Sequence, residues 1–136
     1  MSGRKYIEDL VADITKTPYG WSNNDEVRKK FWEKQRKEYG FDERETWDLD
    51  CTFIYWLYER LLMYKEYAGQ AIRLDHHKFI IDGKEMTQIE CINKMISNCK
   101  QIIVPTEKLL LSDDKIYNLK KETILIWSEC FNCMWW

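Results

Sequence analysis

The sequence has 136 residues, of which 45% are hydrophobic and 32% are charged, with only 5 glycines and 2 prolines. This composition excludes collagen-like chains, low-complexity chains and general disorder. Lysine and arginine number 21 against 23 acidic residues, so the net charge of -2 lacks the basic excess of a nonspecific nucleic-acid binder. The length predicts a single helical domain over residues 1–136, because domains usually hold roughly 100–200 residues.

Two amphipathic helices are predicted before residue 40. Apolar residues over 5–16 recur at intervals of three and four, which is the spacing of one helix face. Polar residues at 22–26 can cap a second helix that runs to Tyr39, with Gly40 as its C-terminal stop. One face of that helix is strongly basic and carries Arg28, Lys29, Lys30, Lys34, Arg36 and Lys37. These side chains either pair with nearby acids or attract phosphate, with Trp32 beside them to stack a base.

A long helix is predicted from Cys51 to about Ala68, after an acidic run at 42–50. In that run, Asp42 and Glu45 have the spacing of a capping box, and Asp50 can cap the long helix. Apolar or aromatic residues surround nearly the whole cylinder of the long helix. We therefore predict that it is central and packed by neighbours on several sides.

The remaining sequence predicts a short extended or hairpin segment and two further helices. Residues 71–86 break the helical periodicity and contain a turn signal at Asp82-Gly83. A capping box at 87–90 opens one helix, and the last helix begins near 112–114. The predicted fold is therefore all-α, a compact bundle of about five helices with a short extended or hairpin segment near residues 71–86.

Cysteine use and hydropathy predict a cytoplasmic location. The N-terminus lacks an apolar signal segment, and nowhere do roughly 18 apolar residues run consecutively, so export and membrane insertion are both unsupported. Cys130 and Cys133 form a C-x-x-C pair, but no second pair or histidine cluster accompanies it. We expect free, inert thiols at these positions, and neither a structural metal nor a cofactor.

The aromatic content of 15%, with 7 tryptophans and 8 tyrosines, is high for a chain of this length. So much ring surface fills a core, lines an interface or stacks against a ligand. We predict that some rings exceed what the core needs and are free to hold a ligand. Trp135 and Trp136 are expected to pack on the body of the protein or on a second subunit, which favours a homo-oligomer.

Six residues are candidates for ligand binding. Arg60 lies in the most apolar helix, where a guanidinium needs either an acid on another helix or a phosphate or carboxylate ligand. His76 and His77 are adjacent on a segment predicted to be extended, so their rings should point opposite ways, which disfavours a shared metal. In the binding hypothesis, Trp47 and Tyr64 stack on a base and Arg60 binds a phosphate. The carboxylate of Asp50 accepts a hydrogen bond from a base or from a sugar hydroxyl. The candidates are Trp47, Asp50, Arg60, Tyr64, His76 and His77.

The acidic run at 42–50 keeps one enzymatic alternative open. Carboxylates can hold Mg²⁺ or Mn²⁺, and all-helical nucleotide pyrophosphohydrolases use them in this way. The alternative is a metal-dependent nucleotide hydrolase that uses Glu45, Asp48 and Asp50. Capping and helix-dipole chemistry account for several of the same acids. The sequence holds no Gly-rich phosphate loop, nucleophile elbow or zinc motif, so no catalytic residue is predicted.

A resemblance begins at the six residues Glu45-Thr46-Trp47-Asp48-Leu49-Asp50. The sequence resembles a group of small, mostly uncharacterised phage and prophage proteins with an E-T-W-x-L-D signature, over roughly residues 40–136. The signature is followed by a helix ending in Arg-Leu, here Glu59-Arg60-Leu61, where Glu59 replaces a frequent Pro. Weaker matches follow at Lys65-Glu66 and Lys94-Met95-Ile96.

The resemblance implies a phage origin, a helical fold and residence in the host cytoplasm. Small phage proteins of this kind often bind, either blocking a host protein or sequestering a nucleotide-derived immune signal. The leading prediction is therefore a non-enzymatic binding protein that antagonises host antiviral defence, with a small nucleotide-like ligand. The alternative is a direct protein inhibitor of a host or defence enzyme, acting through the basic second helix or the tryptophan-ended C-terminus. Neither a membrane nor sequence-specific nucleic acid is an expected partner.

Overall fold

The computed structural model describes residues 25–103 and 111–136. These residues form helices α1 (Asp25–Tyr39), α2 (Leu49–Ala71), α3 (Gln88–Ile103) and α4 (Asp113–Cys130), and strands β1 (Lys78–Ile81) and β2 (Lys84–Thr87). Short 3-10 helices lie at Glu43–Thr46 and Phe131–Cys133. The predicted helical class is confirmed. The described ranges hold four α-helices where about five were predicted, and the helix expected over 5–16 lies outside them.

The chain divides into two compact units, residues 1–53 and residues 54–136. We call them the N-terminal unit and the C-terminal unit and describe each by itself. Helix α2 begins in the N-terminal unit and continues into the C-terminal unit, which also holds the hairpin, α3 and α4. The prediction of a single domain over residues 1–136 stays a prediction.

In the N-terminal unit, α1 ends where the sequence predicts. Gly40 adopts a positive φ of 82°, and its N–H donates to the carbonyl oxygen of Arg36 at 2.9 Å. This left-handed conformation stops a helix and favours glycine. The chain then turns into the Glu43–Thr46 helix, whose N-cap is Asp42. The carboxylate of Asp42 accepts from the backbone N–H of Arg44 at 3.0 Å, so the predicted cap at Asp42 is present.

Helix α2 starts earlier, ends later and is more exposed than predicted. It begins at Leu49, so Asp50 lies inside the first turn and does not cap it, and it continues through Gly69 to Ala71. Its buried residues follow a helical spacing along one face and are Ile54, Leu57, Leu61 and Ala68. Large side chains elsewhere on α2 are exposed, namely Trp56, Leu62, Met63 and Tyr67. The prediction of a helix packed on several sides is therefore met only in part, because half-buried side chains such as Phe53, Tyr55 and Tyr58 accompany the exposed ones.

The segment after α2 forms the predicted hairpin. Strands β1 and β2 pair antiparallel, with Lys78 opposite Thr87 and Ile81 opposite Lys84. Asp82 and Gly83 connect them with φ values of 49° and 76°. Two central residues with positive φ match the type I′ turn that suits the twist of a two-residue hairpin.

Helices α3 and α4 pack against each other and carry the core of the C-terminal unit. Reciprocal hydrogen bonds between Thr87 and Glu90 form the predicted capping box at the start of α3. Ser112 caps α4 by accepting from the N–H of Lys115 at 3.2 Å. The buried core side chains of the two helices are Cys91, Ile92, Met95, Cys99, Thr123, Ile126 and Cys130. Strand β1 contacts α4 and strand β2 contacts α3.

All five cysteines are free thiols, as the sequence predicts. Cys91, Cys99 and Cys130 are buried, whereas Cys51 and Cys133 are half-buried. Among the helices within residues 25–103 and 111–136, none combines the length and the hydropathy that crossing a bilayer requires.

Candidate functional site

A cleft of about 420 Å³ lies in the C-terminal unit, where the loop after α2 meets the end of the chain. Its volume falls in the range of roughly 300–1,000 Å³ that is typical of small-molecule sites. We call it the histidine cleft. It is lined by Ile72, Arg73, His76, His77, Gln88, Cys133 and Trp135.

Gln88 connects the parts of the protein that form the histidine cleft. It is the first residue of α3 and is 0% exposed. Its side-chain Nε2 donates to the hydroxyl of Tyr64 at 3.2 Å and to the carbonyl oxygen of Cys133 at 3.0 Å. Its backbone N–H donates to the carbonyl oxygen of His77 at 3.0 Å. Through its side chain and its backbone, Gln88 therefore connects three parts of the protein. They are helix α2, the loop at residues 72–77 and the C-terminal segment at residues 131–136.

The orientation of the Gln88 amide follows from its neighbours. A carbonyl oxygen only accepts hydrogen bonds, so the group that faces Cys133 must be the NH₂ end of the amide. The amide oxygen Oε1 is then buried and has no hydrogen-bond partner in the part of the chain that the structure describes. An unpartnered buried acceptor costs free energy and is uncommon in a native protein.

Tyr64 lies behind Gln88 and positions the C-terminal segment. Its hydroxyl donates to the carbonyl oxygen of Trp135 at 3.1 Å while it accepts from Gln88. Burial raises the pKa of Tyr64, which keeps the phenol protonated and able to donate. The structure thus places Tyr64, predicted as a stacking residue, as an anchor for Trp135, outside the set of residues that line the cleft.

His76 and His77 lie together on the lining. Their ring centroids are 5.5 Å apart and the rings meet edge to face at 74°. The expectation that the two rings point opposite ways is wrong, because the chain turns through residues 74–76 and β1 starts only at Lys78. The alternation of side chains that motivated it applies to strands and not to turns.

Arg73 supplies a positive charge to the same cleft. Its guanidinium makes two hydrogen bonds of 3.2 Å to the carboxylate of Asp75. These hydrogen bonds to Asp75 raise the pKa of Arg73, so the guanidinium is charged at every physiological pH. Both side chains are strongly exposed, at 79% and 58%, and an exposed pair of this kind is weak. A phosphate group entering the cleft can therefore compete with Asp75 for the guanidinium fork.

Trp135 completes the cleft with an exposed indole ring. Its relative exposure is 67%, and that of its neighbour Trp136 is 62%. Both residues are thus largely exposed in this single chain, so packing on the body, one of the two expectations for them, covers only a minor part of their surface. The indole of Trp135 is therefore exposed, whereas the backbone of Trp135 is held by its hydrogen bond from Tyr64.

The structure places Arg60 away from the histidine cleft. Its guanidinium lies 4.5 Å from the ring centroid of Trp56 and donates to the carbonyl oxygen of Trp56 at 3.2 Å. Among the described residues, no carboxylate lies within ion-pair distance of Arg60. The expected salt bridge to another helix is therefore not made there, and the guanidinium stacks on an aromatic ring one turn away.

Trp47 and Asp50 belong to the N-terminal unit and are not on the lining of the histidine cleft. Trp47 meets Trp32 edge to face, with ring centroids 6.2 Å apart. The other partners of Trp32 are Arg44, whose guanidinium lies 4.3 Å from the ring centroid, and Glu43, which accepts from Nε1. Trp32 is therefore engaged within its own unit.

Asp50 has Asp48 and Cys51 nearby, and one ligand atom from each lies within 4.8 Å of the others. Asp48 and Asp50 are exposed, and Glu45 is not a member of this group. Carboxylates at the start of a helix are stabilised by the helix dipole without any metal. Of the three acids of the hydrolase alternative, Asp48 and Asp50 thus lie close together, and Glu45 does not belong to their group.

The basic face of α1 is partly neutralised within the chain. Arg28 pairs with Glu43 at 2.8 Å and Arg36 pairs with Asp42 at 2.7 Å. The lysines of that face at 29, 30, 34 and 37 are exposed. Internal pairing, one of the two interpretations left open by the sequence, therefore holds for the two arginines.

Five residues of the histidine cleft were not among the sequence candidates for ligand binding, and they include Arg73, Gln88 and Trp135. Gln88 directly follows the capping residue Thr87, where a polar side chain is explained by helix-start chemistry alone. Trp135 was singled out as a surface for packing or for a protein partner, and not as a ligand-binding residue. Their common role depends on contacts between residues 24 to 71 positions apart, for which local spacing holds no signal.

Comparison of the chain with protein-family models, with curated proteins and with solved structures found no match. What the cleft can bind is therefore inferred from its own side chains.

Proposed function

We propose that this protein is a phage-encoded, non-enzymatic binding protein that sequesters a small nucleotide-derived signal of the host's antiviral defence. The observation that carries the proposal is the lining of the histidine cleft. Trp135, whose indole is exposed, lines one space of about 420 Å³ together with His76, His77 and the charged Arg73. This is the combination that grips a base by its face and a phosphate by its oxygens. In this proposal the protein acts in the host cytoplasm as a homo-oligomer.

Each side chain of the cleft has a task in this proposal. Trp135 stacks on the base, because its ring is exposed while its backbone is anchored by Tyr64. Arg73 exchanges its weak exposed pair with Asp75 for a phosphate. The paired rings of His76 and His77 supply a second aromatic surface. Stacking and ionic contacts retain a ligand without any bond being made or broken.

The test measures thermal stability with AMP, 3′,5′-cyclic AMP, cyclic dinucleotides and cyclic ADP-ribose isomers as probes. A ligand that binds only the native state must stabilise it, by about 2.7 kcal/mol at a concentration 100 times Kd. We expect at least one probe to raise Tm. Because stacking on an aromatic ring is worth roughly 1–3 kcal/mol per base, Trp135→Ala should weaken binding of that probe at least five-fold.

Trp136→Ala is the matched control, since Trp136 is almost as exposed as Trp135 and adjacent to it but does not line the cleft. It should leave the affinity unchanged. If no probe raises Tm, or if both tryptophan variants lose binding equally, the proposed nucleotide site in the histidine cleft is rejected.

A direct protein inhibitor is the second candidate function, and one observation favours it. Phe131, Trp135 and Trp136 are all exposed near the C-terminus, and clustered aromatic side chains are typical of interface hot spots. Pull-down from host lysate with the wild type and with Trp136→Ala separates the two functions. A host protein that the wild type retains and that Trp136→Ala loses supports the inhibitor, provided that no nucleotide probe binds.

The metal-dependent hydrolase is supported only by the proximity of Asp48, Asp50 and Cys51. Its test is product formation from nucleoside triphosphates with Mg²⁺ or Mn²⁺. Activity that is lost in Asp50→Asn would favour this function over sequestration.

A further inference from the structure

A second and larger cleft, of about 700 Å³, lies between the hairpin and helices α3 and α4. We call it the lysine cleft. None of its residues takes part in the histidine cleft, so it is a separate space within the same unit. Its lining consists of Ile81, Asp82, Lys84, Met86, Lys94, Asn118, Lys121, Glu122, Leu125 and Ile126.

The apolar side of the lysine cleft is aliphatic. Ile81 and Ile126 are core residues with exposures of 6% and 1%, whereas Leu125 is 42% exposed. Among the described residues, the lining contains no aromatic ring, so a base has nothing to stack on there. A hydrocarbon body that covers Leu125 and removes it from water is stabilised in proportion to the apolar area buried.

The polar side of the cleft carries three lysines from three different elements. Lys84 belongs to β2, Lys94 to α3 and Lys121 to α4. With Asp82 and Glu122 as the acids of the lining, the five charged side chains sum to one net positive charge. The excess of ammonium groups favours an anionic ligand.

Glu122 is engaged with its neighbours, which leaves two of the lysines for a ligand. Its carboxylate accepts from Nδ2 of the buried Asn98 at 2.9 Å and lies 3.8 Å from Nζ of Lys94. In the ranges that the structure describes, Lys84 and Lys121 have no carboxylate within ion-pair distance. Among the described residues, the Lys121 ammonium contacts the ring of Tyr117 at 5.9 Å, near the outer limit of a cation–π contact.

We infer that the lysine cleft binds a small organic acid with an aliphatic body. Its carboxylate or phosphate contacts the ammonium groups of Lys84 and Lys121, and its hydrocarbon chain covers Leu125 and the adjoining isoleucines. The volume, the aliphatic floor and the surplus positive charge each match this class of ligand, and the absence of rings separates it from the nucleotide proposed for the histidine cleft.

The experiment titrates the full chain at low ionic strength with octanoate, octyl phosphate, octanamide and acetate. NMR signals of the methyl groups of Ile81, Leu125 and Ile126 report binding during each titration. Octanoate or octyl phosphate should shift these methyl signals, and comparing the two shows whether a carboxylate or a phosphate is preferred. Octanamide lacks the charge and acetate lacks the chain, so each should bind at least five-fold more weakly.

The variants assign the binding to the lysines. An exposed ion pair is worth up to about 1 kcal/mol, so Lys84→Gln and Lys121→Gln should each weaken binding by roughly three- to five-fold. Lys115→Gln, on the same helix as Lys121 but outside the cleft, should leave it unchanged. Trp135→Ala should also leave octanoate binding unchanged, which separates this site from the histidine cleft.

Three results would overturn the inference. They are the absence of methyl shifts with both anionic probes, equal affinity for octanoate and octanamide, and undiminished binding in a Lys84→Gln/Lys121→Gln double variant. None of them bears on nucleotide binding in the histidine cleft.

Discussion

Asp42 is a buried carboxylate shared by two arginines. Arg44 donates to it from Nε at 2.9 Å and from Nη2 at 2.8 Å, and Arg36 donates from Nε at 2.7 Å. Burial by itself would raise the pKa of Asp42, but the hydrogen bonds from Arg44 and Arg36 outweigh it and hold the pKa below the usual range of an aspartate. The charged form of Asp42 is therefore part of the folded N-terminal unit.

Replacing Asp42 with Asn should destabilise that unit strongly. The substitution removes the charge that compensates two partly buried guanidinium groups, and breaking a buried pair costs roughly 3–5 kcal/mol. Hydrogen exchange of the amides at 36–47 measures the loss locally. Glu38→Gln, an exposed acid on α1, is the control. Equal protection in the two variants would contradict a structural role for the Asp42 charge.

The stability of the N-terminal unit should fall in acid. A carboxyl group whose pKa is lower in the folded state contributes its full stability above the unfolded pKa of roughly 3.9. That contribution is lost as the pH falls through the lower folded pKa. Denaturant unfolding at pH 6, 4 and 3, followed by the exchange of the same amides, should show this loss in the wild type. Asp42→Asn should lack that component, and an identical pH slope in both proteins would refute the assignment.

The five thiols should differ sharply in reactivity. Burial raises the pKa of Cys99 and of Cys130 to about 12, and it also raises the pKa of Cys91. Since the thiolate is the reactive form, these three should resist alkylation in the native protein at pH 8. Cys51 and Cys133 are half-buried and should be modified by iodoacetamide, as peptide mass spectrometry would show, so the expectation of an inert thiol is kept for Cys130 and not for Cys133. Labelling of Cys99 before global unfolding would contradict the packing described.

At the scale of elements, the Asp82-Gly83 turn offers a clean test of backbone conformation. Gly83 has a φ of 76°, and a Cβ added there would meet no atom within 4 Å. Gly83→Ala therefore introduces backbone strain without a steric clash, at a cost of roughly 1–2 kcal/mol. The free energy of unfolding measures this cost. Asp82→Asn is the control, because Asn tolerates the left-handed region well, and it should be close to neutral.

Element boundaries were predictable where a local signal ends or begins a helix. Gly40, the Thr87–Glu90 capping box, Ser112 and the Asp82-Gly83 turn all act as the sequence indicates. The end of α2 was not predictable in this way, because Gly69 keeps a helical conformation inside the last turns of the helix. A glycine permits a helix to stop but does not require it to.

At the scale of the whole molecule, Gln88 should control the order of the C-terminal segment. Gln88→Leu removes the donor to Tyr64 and to Cys133 while keeping a similar volume. Each lost hydrogen bond is worth about 1 kcal/mol, so a modest fall in Tm is expected. Carboxypeptidase digestion should release Trp136 and Trp135 faster than from the wild type. Gln101→Leu, at an exposed position of α3, is the control, and equal digestion rates would show that Gln88 does not hold the segment.

The candidate site was predictable only in part. Tyr64, His76 and His77 were singled out from the sequence, and the structure places them in or directly behind one cleft. Trp47 and Asp50 were singled out by the same reasoning and lie in the other unit. The chemical type of a side chain shows what it can bind, but not which other side chains share its space.

The sequence by itself determined the helical class, the caps at Asp42 and at the starts of α3 and α4, and the hairpin turn. Each of these depends on residues within a few positions of one another or on composition, so local pattern is sufficient. Only the tertiary structure decided that Gln88 joins α2 to the chain end, that Trp135 is anchored yet exposed, and that three lysines face one aliphatic cleft. These features depend on contacts, several of them hydrogen bonds, between residues far apart in the chain, and such contacts leave no periodic trace in the sequence.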